Sequence, residues 1–127
     1  MPLSVRAKNG ARLDIHLYGI PSCDTVKKAR AWLAARGVDH IFHDYKKEGA
    51  DPARLQGWSD AVSWEALLNT RGTTFRKLPE GDRAGIDRAK ALRLMETHPS
   101  LIKRPVVEYP GGLLVGFEPV AWAAALG

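Results

Sequence analysis

The chain has 127 residues, 45% of them hydrophobic and 26% charged, with 19 Lys and Arg against 14 Asp and Glu for a net charge of +5. That length fits one domain with its own core, and no window reaches the apolar length of a membrane span, so a soluble cytoplasmic protein without membrane attachment is expected. A single cysteine, Cys23, excludes an internal disulfide framework; no zinc-type ligand cluster is present, and the basic excess lacks an aromatic-interleaved stripe, so neither a metal nor nucleic acid is expected as a partner.

Residues 1–12 read as a polar, flexible leader that holds part of the basic excess, at Arg6, Lys8 and Arg12. Asp14 to Tyr18 alternates Ile15 and Leu17 with polar neighbours, the period of a strand. Gly19 and Pro21 break it, Ser22 is the expected helix cap, and Val26, Ala29 and Leu33 make the inward stripe of a helix that runs to about Arg36 and stops at Gly37. Val38 to Tyr45 is a second strand. A strand, a helix and a strand in that order predict a parallel pair.

From about residue 47 to 99 the pattern turns to helix and loop. Asp51-Pro52 opens a helix expected to end by Gly57; Ser63 to Leu68 opens another that Gly72 ends, with Arg71 beside its C-terminus. Thr73 to Leu78 and Pro79 to Gly85 read as turn and loop. Asp87 to Thr97 is a helix stopped by His98-Pro99. Two apolar runs, Arg104 to Tyr109 and Leu113 to Phe117, flank Pro110-Gly111-Gly112 as a β-hairpin, and Glu118-Pro119 opens a last helix. Strand, helix, strand, helical insert, hairpin, helix is the order of a thioredoxin-like α/β fold with a mixed sheet, here one domain over 13–127 interrupted by the insert.

Cys23 stands where the first strand gives way to the first helix. In the first turn of a helix the unpaired N–H groups and the positive dipole end favour a thiolate, the nucleophilic form, and Lys27 adds a charge one turn on. Asp24 acts in the opposite sense unless it turns away to cap the helix. Many free cysteines are inert packing. The histidines, His16, His40, His43 and His98, are scattered, and none is spaced to pair with Cys23.

Three segments carry a more specific signal: Tyr18 to Ala29 around Cys23, Leu67-Leu68-Asn69-Thr70-Arg71-Gly72-Thr73, and Leu101 to Val107 around Arg104-Pro105. In order and spacing they resemble the motifs of the arsenate reductase (ArsC/Spx) family, most of all its YffB branch. The resemblance implies that Cys23 is the nucleophile, that Arg71 and Arg104 hold an anion and stabilise the thiolate, and that Pro105 is the family's cis-proline. Lys27, Thr25, Pro105 and Val106 are the expected substrate-binding residues. Two guanidiniums near a helix N-terminus make a bidentate anion site that also lowers a thiol's pKa.

The departures are informative too. Where arsenate reductases carry a histidine four residues before the cysteine, this chain has Gly19; their third arginine is replaced within Val115-Gly116-Phe117; Lys27 stands in place of an arginine. Val26 occupies the position where Spx-like regulators place the second cysteine of a C-x-x-C switch. The resemblance therefore implies a monothiol oxidoreductase acting on a small anionic or disulfide substrate, with glutathione or glutaredoxin as the thiol partner, in a monomer. Glutathione would meet the basic groups and pair with an exposed strand edge after Pro105. Two alternatives remain: an Spx-like non-catalytic regulator that binds RNA polymerase, and an arsenate reductase in which Arg76 or Arg93 supplies the missing charge.

Overall fold

The structure is a computed structural model that describes residues 5–6, 12–13 and 15–126. It separates into two compact units, residues 1–44 with 104–127, and residues 45–103. Of the leader expected over 1–12, strand β1 (Val5–Arg6) pairs antiparallel with β2 (Arg12–Leu13). The other leader residues lie outside those described.

The first unit is built on a four-stranded sheet of β3 (His16–Gly19), β4 (Ile41–Asp44), β5 (Val106–Tyr109) and β6 (Gly112–Val115) in the order β4-β3-β5-β6. β3 and β4 are parallel, as the strand–helix–strand order predicts, and β5 is antiparallel to both β3 and β6, so the sheet is mixed. Helix α1 (Asp24–Ala35) connects β3 to β4, and α8 (Pro119–Leu126) closes the unit. This is the thioredoxin-like arrangement.

Register assigns the faces. Leu17, Phe42, Val107 and Leu114 stand side by side across the strands and point one way. Against them pack Val26, Ala29 and Leu33, the predicted stripe of α1, and Trp122 of α8. Full burial of Val26 and of Leu33 contributes about 1.5–3 kcal/mol of transfer free energy each. Trp32 and Phe117 pack edge-on to the Trp122 ring, at 6.0 and 4.9 Å between centroids, and the Trp122 indole N–H donates to Gly116 O at 3.0 Å.

The second unit is helical: α2 (Tyr45–Glu48), α3 (Pro52–Val62), α4 (Trp64–Leu67), α5 (Thr73–Arg76), α6 (Glu80–Arg83), α7 (Arg88–Thr97) and a 3-10 turn at Pro99–Leu101. Asp51 and Asp87 cap α3 and α7 by accepting from the N–H groups of Arg54 and Lys90. Three expectations are corrected here. α3 does not end by Gly57 but continues to Val62, because Leu55, Trp58 and Ser59 carry its buried face past a glycine that faces open space. α4 stops at Leu67 rather than reaching Gly72, since Leu68 is drawn into a bridge with Ile102. The stretches read as turn and loop hold the helical turns α5 and α6; α6 starts after Pro79 with Glu80 and Asp82 in its first turn, favourable to the helix dipole.

Candidate active site

Pro21 and Ser22 form a turn closed by the Cys23 N–H donating to Ile20 O at 3.0 Å. The helix cap is consequently Cys23 itself, with extended backbone angles of φ −75° and ψ 125°, and not Ser22. Asp24 is the first helical residue. The shift of one position places the sulfur where an N-cap side chain ordinarily accepts from the first turn, a position Cys23 would not hold one residue further into the helix.

The consequences for the thiol are opposed. Partial burial pushes its pKa up and is the largest single influence. The Val26 N–H, the Arg104 guanidinium that bonds the sulfur, the Thr25 N–H and the Arg104 charge act together in the other direction and prevail, so the thiol lies below its ordinary value. No conventional side-chain capping bond is closed at this helix end; the N–H groups act by favouring the charged sulfur.

Arg104 reaches Cys23 from two residues before β5. It is half-buried with its Nε atom fully covered, and the Arg104–Pro105 peptide is cis. Pro105 and Val106 are buried. Val106 pairs with Tyr18 on one side and Val115 on the other, while Pro105 O accepts from the Gly116 N–H at 2.8 Å. The strand edge expected after Pro105 is therefore not exposed: β5 is an interior strand, and both of its sides are occupied. Thr25 and Lys27 are exposed on α1. Thr25 acts on the sulfur through its backbone N–H, and the Lys27 ammonium is not among the groups that shift the thiol.

The departures at Gly19 and near Gly116 have structural counterparts. A Cβ at Gly19 would stand 2.8 Å from Val26 Cγ2, a stiff β-branched side chain with no exposure, so the close approach of α1 to β3 leaves no room for a larger residue. Gly116 adopts φ 77° and accepts the Trp122 indole bond, while Phe117 joins the aromatic cluster of Trp32 and Trp122. Packing holds both positions.

Arg71 belongs to the second unit and is exposed. Its N–H donates to Asn69 Oδ1 at 3.1 Å, and a Cβ at Gly72 would stand 2.9 Å from Asn69 Nδ2, so glycine there leaves the Asn69 turn intact. The side chain lines a cavity of about 450 Å³ whose wall also holds Trp64, Glu65 and Lys103. Lys103 was not singled out by sequence. The adjacent Lys103-Arg104 pair was its only signal, since extended chain sends neighbours to opposite sides. Of the two arginines expected as substitutes, Arg76 ends α5 exposed and Arg93 lines a separate cavity between α3 and α7.

Sequence reasoning also missed a polar group on the sheet face opposite α1: His16 Nδ1 lies 2.9 Å from His43 Nε2, the Tyr18 ring stacks on His43, and Tyr18 OH donates to Glu108 at 3.0 Å. The two histidines are 27 residues apart, and the parallel pairing of β3 with β4 brings them together. Among the described residues no group of His, Cys, Asp and Glu could hold a metal ion, and no helix is long and apolar enough to cross a membrane.

Comparison with known proteins agrees with this geometry. The model of the ArsC family matches residues 18–125. The chain is similar to a solved structure described as the YFFB protein, with a TM-score of 0.86 and 53% identity over 89% of this chain and 99% of that one. It is similar to the solved arsenate reductase (ArsC) related protein from Brucella melitensis, with a TM-score of 0.72 and 52% identity over 90% and 95% of the two chains. A curated relative, the global transcriptional regulator Spx of Streptococcus pneumoniae, is 30% identical over 106 residues, 82% of this chain and 79% of the relative. The match runs from Tyr18, five residues before the cysteine, through the arginine that bonds its sulfur and on into the last helix, and the chain belongs to the ArsC family.

Proposed function

We propose that the protein is a monothiol oxidoreductase that uses Cys23 as its nucleophile and glutathione, or a similar small thiol, as its reductant. The observation that carries this reading is the Arg104 guanidinium on the Cys23 sulfur, together with the Val26 and Thr25 N–H groups, which favour the thiolate against the opposing effect of burial.

In the first step the Cys23 thiolate attacks one sulfur of a disulfide R–S–S–R′. A bond forms between Cys23 and R–S, and R′–S⁻ leaves and takes a proton from solvent. In the second, a glutathione thiolate attacks the mixed disulfide and regenerates the Cys23 thiolate. When R is itself glutathionyl, the balance is one disulfide and one glutathione consumed, with oxidised glutathione and one thiol formed. A single cysteine is enough for this route. Arg104 holds the sulfur's negative charge both before attack and as the leaving group of the second step.

Disulfides suit the site better than arsenate. Gly19 and the Gly116-Phe117 segment replace two of the polar groups of arsenate-reducing relatives, and packing against Val26 and Trp122 occupies both places. The likeness to the Streptococcus pneumoniae regulator supports a second reading, a non-catalytic protein that binds RNA polymerase. Co-purification with polymerase subunits by a Cys23→Ser variant would favour it.

The deciding experiment is the pH dependence of Cys23 alkylation by iodoacetamide. An apparent pKa below the free value of about 8.5 that rises in Arg104→Ala is expected. An ordinary or raised value in the unaltered protein would sink the enzyme reading. Glutathione-dependent turnover of a mixed disulfide then tests the reductant, and arsenate should give no detectable rate.

A further inference from the structure

The two edges of the four-stranded sheet differ in what guards them. β4 carries His43 and Asp44, and the Arg30 guanidinium lies 4.2 Å from the centre of the Phe42 ring, so charged groups stand along that edge and discourage pairing with a further strand. β6 has no such guard. Its residues are Gly112-Leu113-Leu114-Val115, the last three half-buried, and among the described residues no strand pairs on its outer side. The hairpin settles which backbone groups point outward. Gly116 N–H donates to Pro105 O at 2.8 Å, and antiparallel pairs alternate between bonded and non-bonded, so Leu114 and Gly112 also turn their N–H and C=O groups to β5. Leu113 and Val115 turn theirs away from the sheet, where nothing among the described residues bonds them.

Helix α8 continues this surface. Its Trp122 belongs to the core against which Leu114 and Phe117 pack, and bonds Gly116 O just beyond β6. On the opposite side of the helix, two positions before and two after Trp122, Val120 and Ala124 are exposed, Val120 at 87%. A helix that is apolar on every side ordinarily has a partner on every side. From Pro110 to Gly127 one side chain, Glu118, is charged, and all 19 Lys and Arg precede Pro105.

The charge pattern selects the occupant. Two copies of a chain with a net charge of +5 repel, and their approach is least unfavourable where neither presents a cation; this surface is the part without one. An acidic partner would find no cation here to meet, and a lipid surface would find a helix without the Lys and Arg of interfacial helices. Pairing of β6 with itself is also self-complementary about a two-fold axis. With Leu114 opposite the partner's Leu114, Leu113 faces the partner's Val115 and Val115 the partner's Leu113, and every outward N–H and C=O is bonded.

We propose that β6 and the outer side of α8 form the interface of a reversible two-fold dimer, in which β6 pairs antiparallel with β6 of a second copy about Leu114. The monomer expected from the resemblance is then one state of an equilibrium. This interface does not involve Cys23 and stands independently of the proposed reductase activity.

The test is sedimentation equilibrium of the full chain from low micromolar to millimolar concentration, with amide hydrogen exchange followed over the same range. A reversible monomer–dimer equilibrium is expected, tighter at high salt because the net charges are then screened. The Leu113 and Val115 amides should slow as the dimer fills, while the Leu114 amide, bonded to β5, is slow throughout. Val115→Pro removes an outward N–H and spares the ladder to β5, and should weaken the dimer about tenfold or more. Val120→Lys changes a side chain that packs against nothing in the fold and should weaken the dimer by placing a cation on the surface of each copy; it decides alone should Val115→Pro not fold. A chain that stays monomeric at the highest concentration and salt overturns the proposal, as does a dimer indifferent to both substitutions. Leu113 and Val115 amides that slow only when another protein or lipid vesicles are added, and never with concentration, assign the edge to a different occupant and overturn the dimer.

Discussion

The two units hold their cations in opposite ways. In the first, Arg104 is half-buried, its Nε covered, and its guanidinium bonds the Cys23 sulfur at the end of a sheet with a continuous apolar core. In the second, Arg71 and Lys103 stand exposed on segments anchored by the buried Leu68, Leu101 and Ile102 and by backbone bonds. A cation that must shift a pKa works at close range and with little water between, since solvent screens exposed charges. A cation that must greet a ligand has to remain open to solvent. The difference in burial therefore separates a cation that acts on the Cys23 thiol from cations open to solvent.

The sharpest way to break the first unit alone is its core. Trp122→Ala removes a ring with 1% exposure and the indole bond to Gly116, and should cost about 3–5 kcal/mol in denaturant unfolding. A loss below about 1 kcal/mol would mean that α8 adds little to the sheet. Next in size is Gly19→Ala, which drives a methyl into Val26 and should cost about 1–3 kcal/mol. Combining it with Val26→Ala should recover part of that loss relative to the sum of the single changes, and strict additivity would refute the contact.

Arg104→Ala sharpens the comparison without a large stability change expected. It should slow Cys23 alkylation at neutral pH by raising the thiol pKa, whereas Arg71→Ala should leave the alkylation profile where it was. The linkage has a definite sign. Because the folded thiol pKa lies below the unfolded one, the native state binds fewer protons between the two values. Stability from this group is fully present above the unfolded pKa, near 8.5, and is lost as pH falls through the folded pKa. Cys23→Ser should flatten that part of the unfolding curve; an unchanged slope would assign it to other groups.

In the second unit the expected effects are smaller. Asp51→Ala should cost about 1 kcal/mol through loss of the cap to the Arg54 N–H, and Asp51→Asn much less. Smallest is Asp60→Ala, which removes an exposed ion pair with Arg88 at 2.8 Å; a change of less than about 1 kcal/mol in chemical unfolding is expected. A larger effect would show that Arg88, which also donates to Ser59 Oγ, ties α7 to α3 more firmly than its exposure suggests.

Local signals were read correctly where one residue carries the physics. The Val26, Ala29 and Leu33 stripe, the Gly37 stop with φ 69°, the caps at Asp51 and Asp87 and the hairpin turn before Gly112 all follow from side-chain period, capping chemistry or glycine's left-handed freedom. Reading failed where competition decided. Gly57 could have ended α3, but burial of Trp58 and Ser59 carried the helix on, and Leu68 was helical by pattern until the bridge to Ile102 took it. The cap moved from Ser22 to Cys23 because a turn closed at Ile20.

By itself, then, the sequence determined a thioredoxin-like order of elements, one candidate nucleophile at a strand-to-helix junction, and the arginines worth testing beside it. These depend on spacing along the chain. Tertiary structure alone decided that Arg104 touches the sulfur, that β5 is an interior strand with no edge to offer, that His16 meets His43, and that Glu65 and Lys103 share a cavity with Arg71. Each of those joins residues distant in sequence or depends on which neighbours fill both sides of a strand. Contact between them follows from pairing and packing of the whole chain, and no local pattern encodes it.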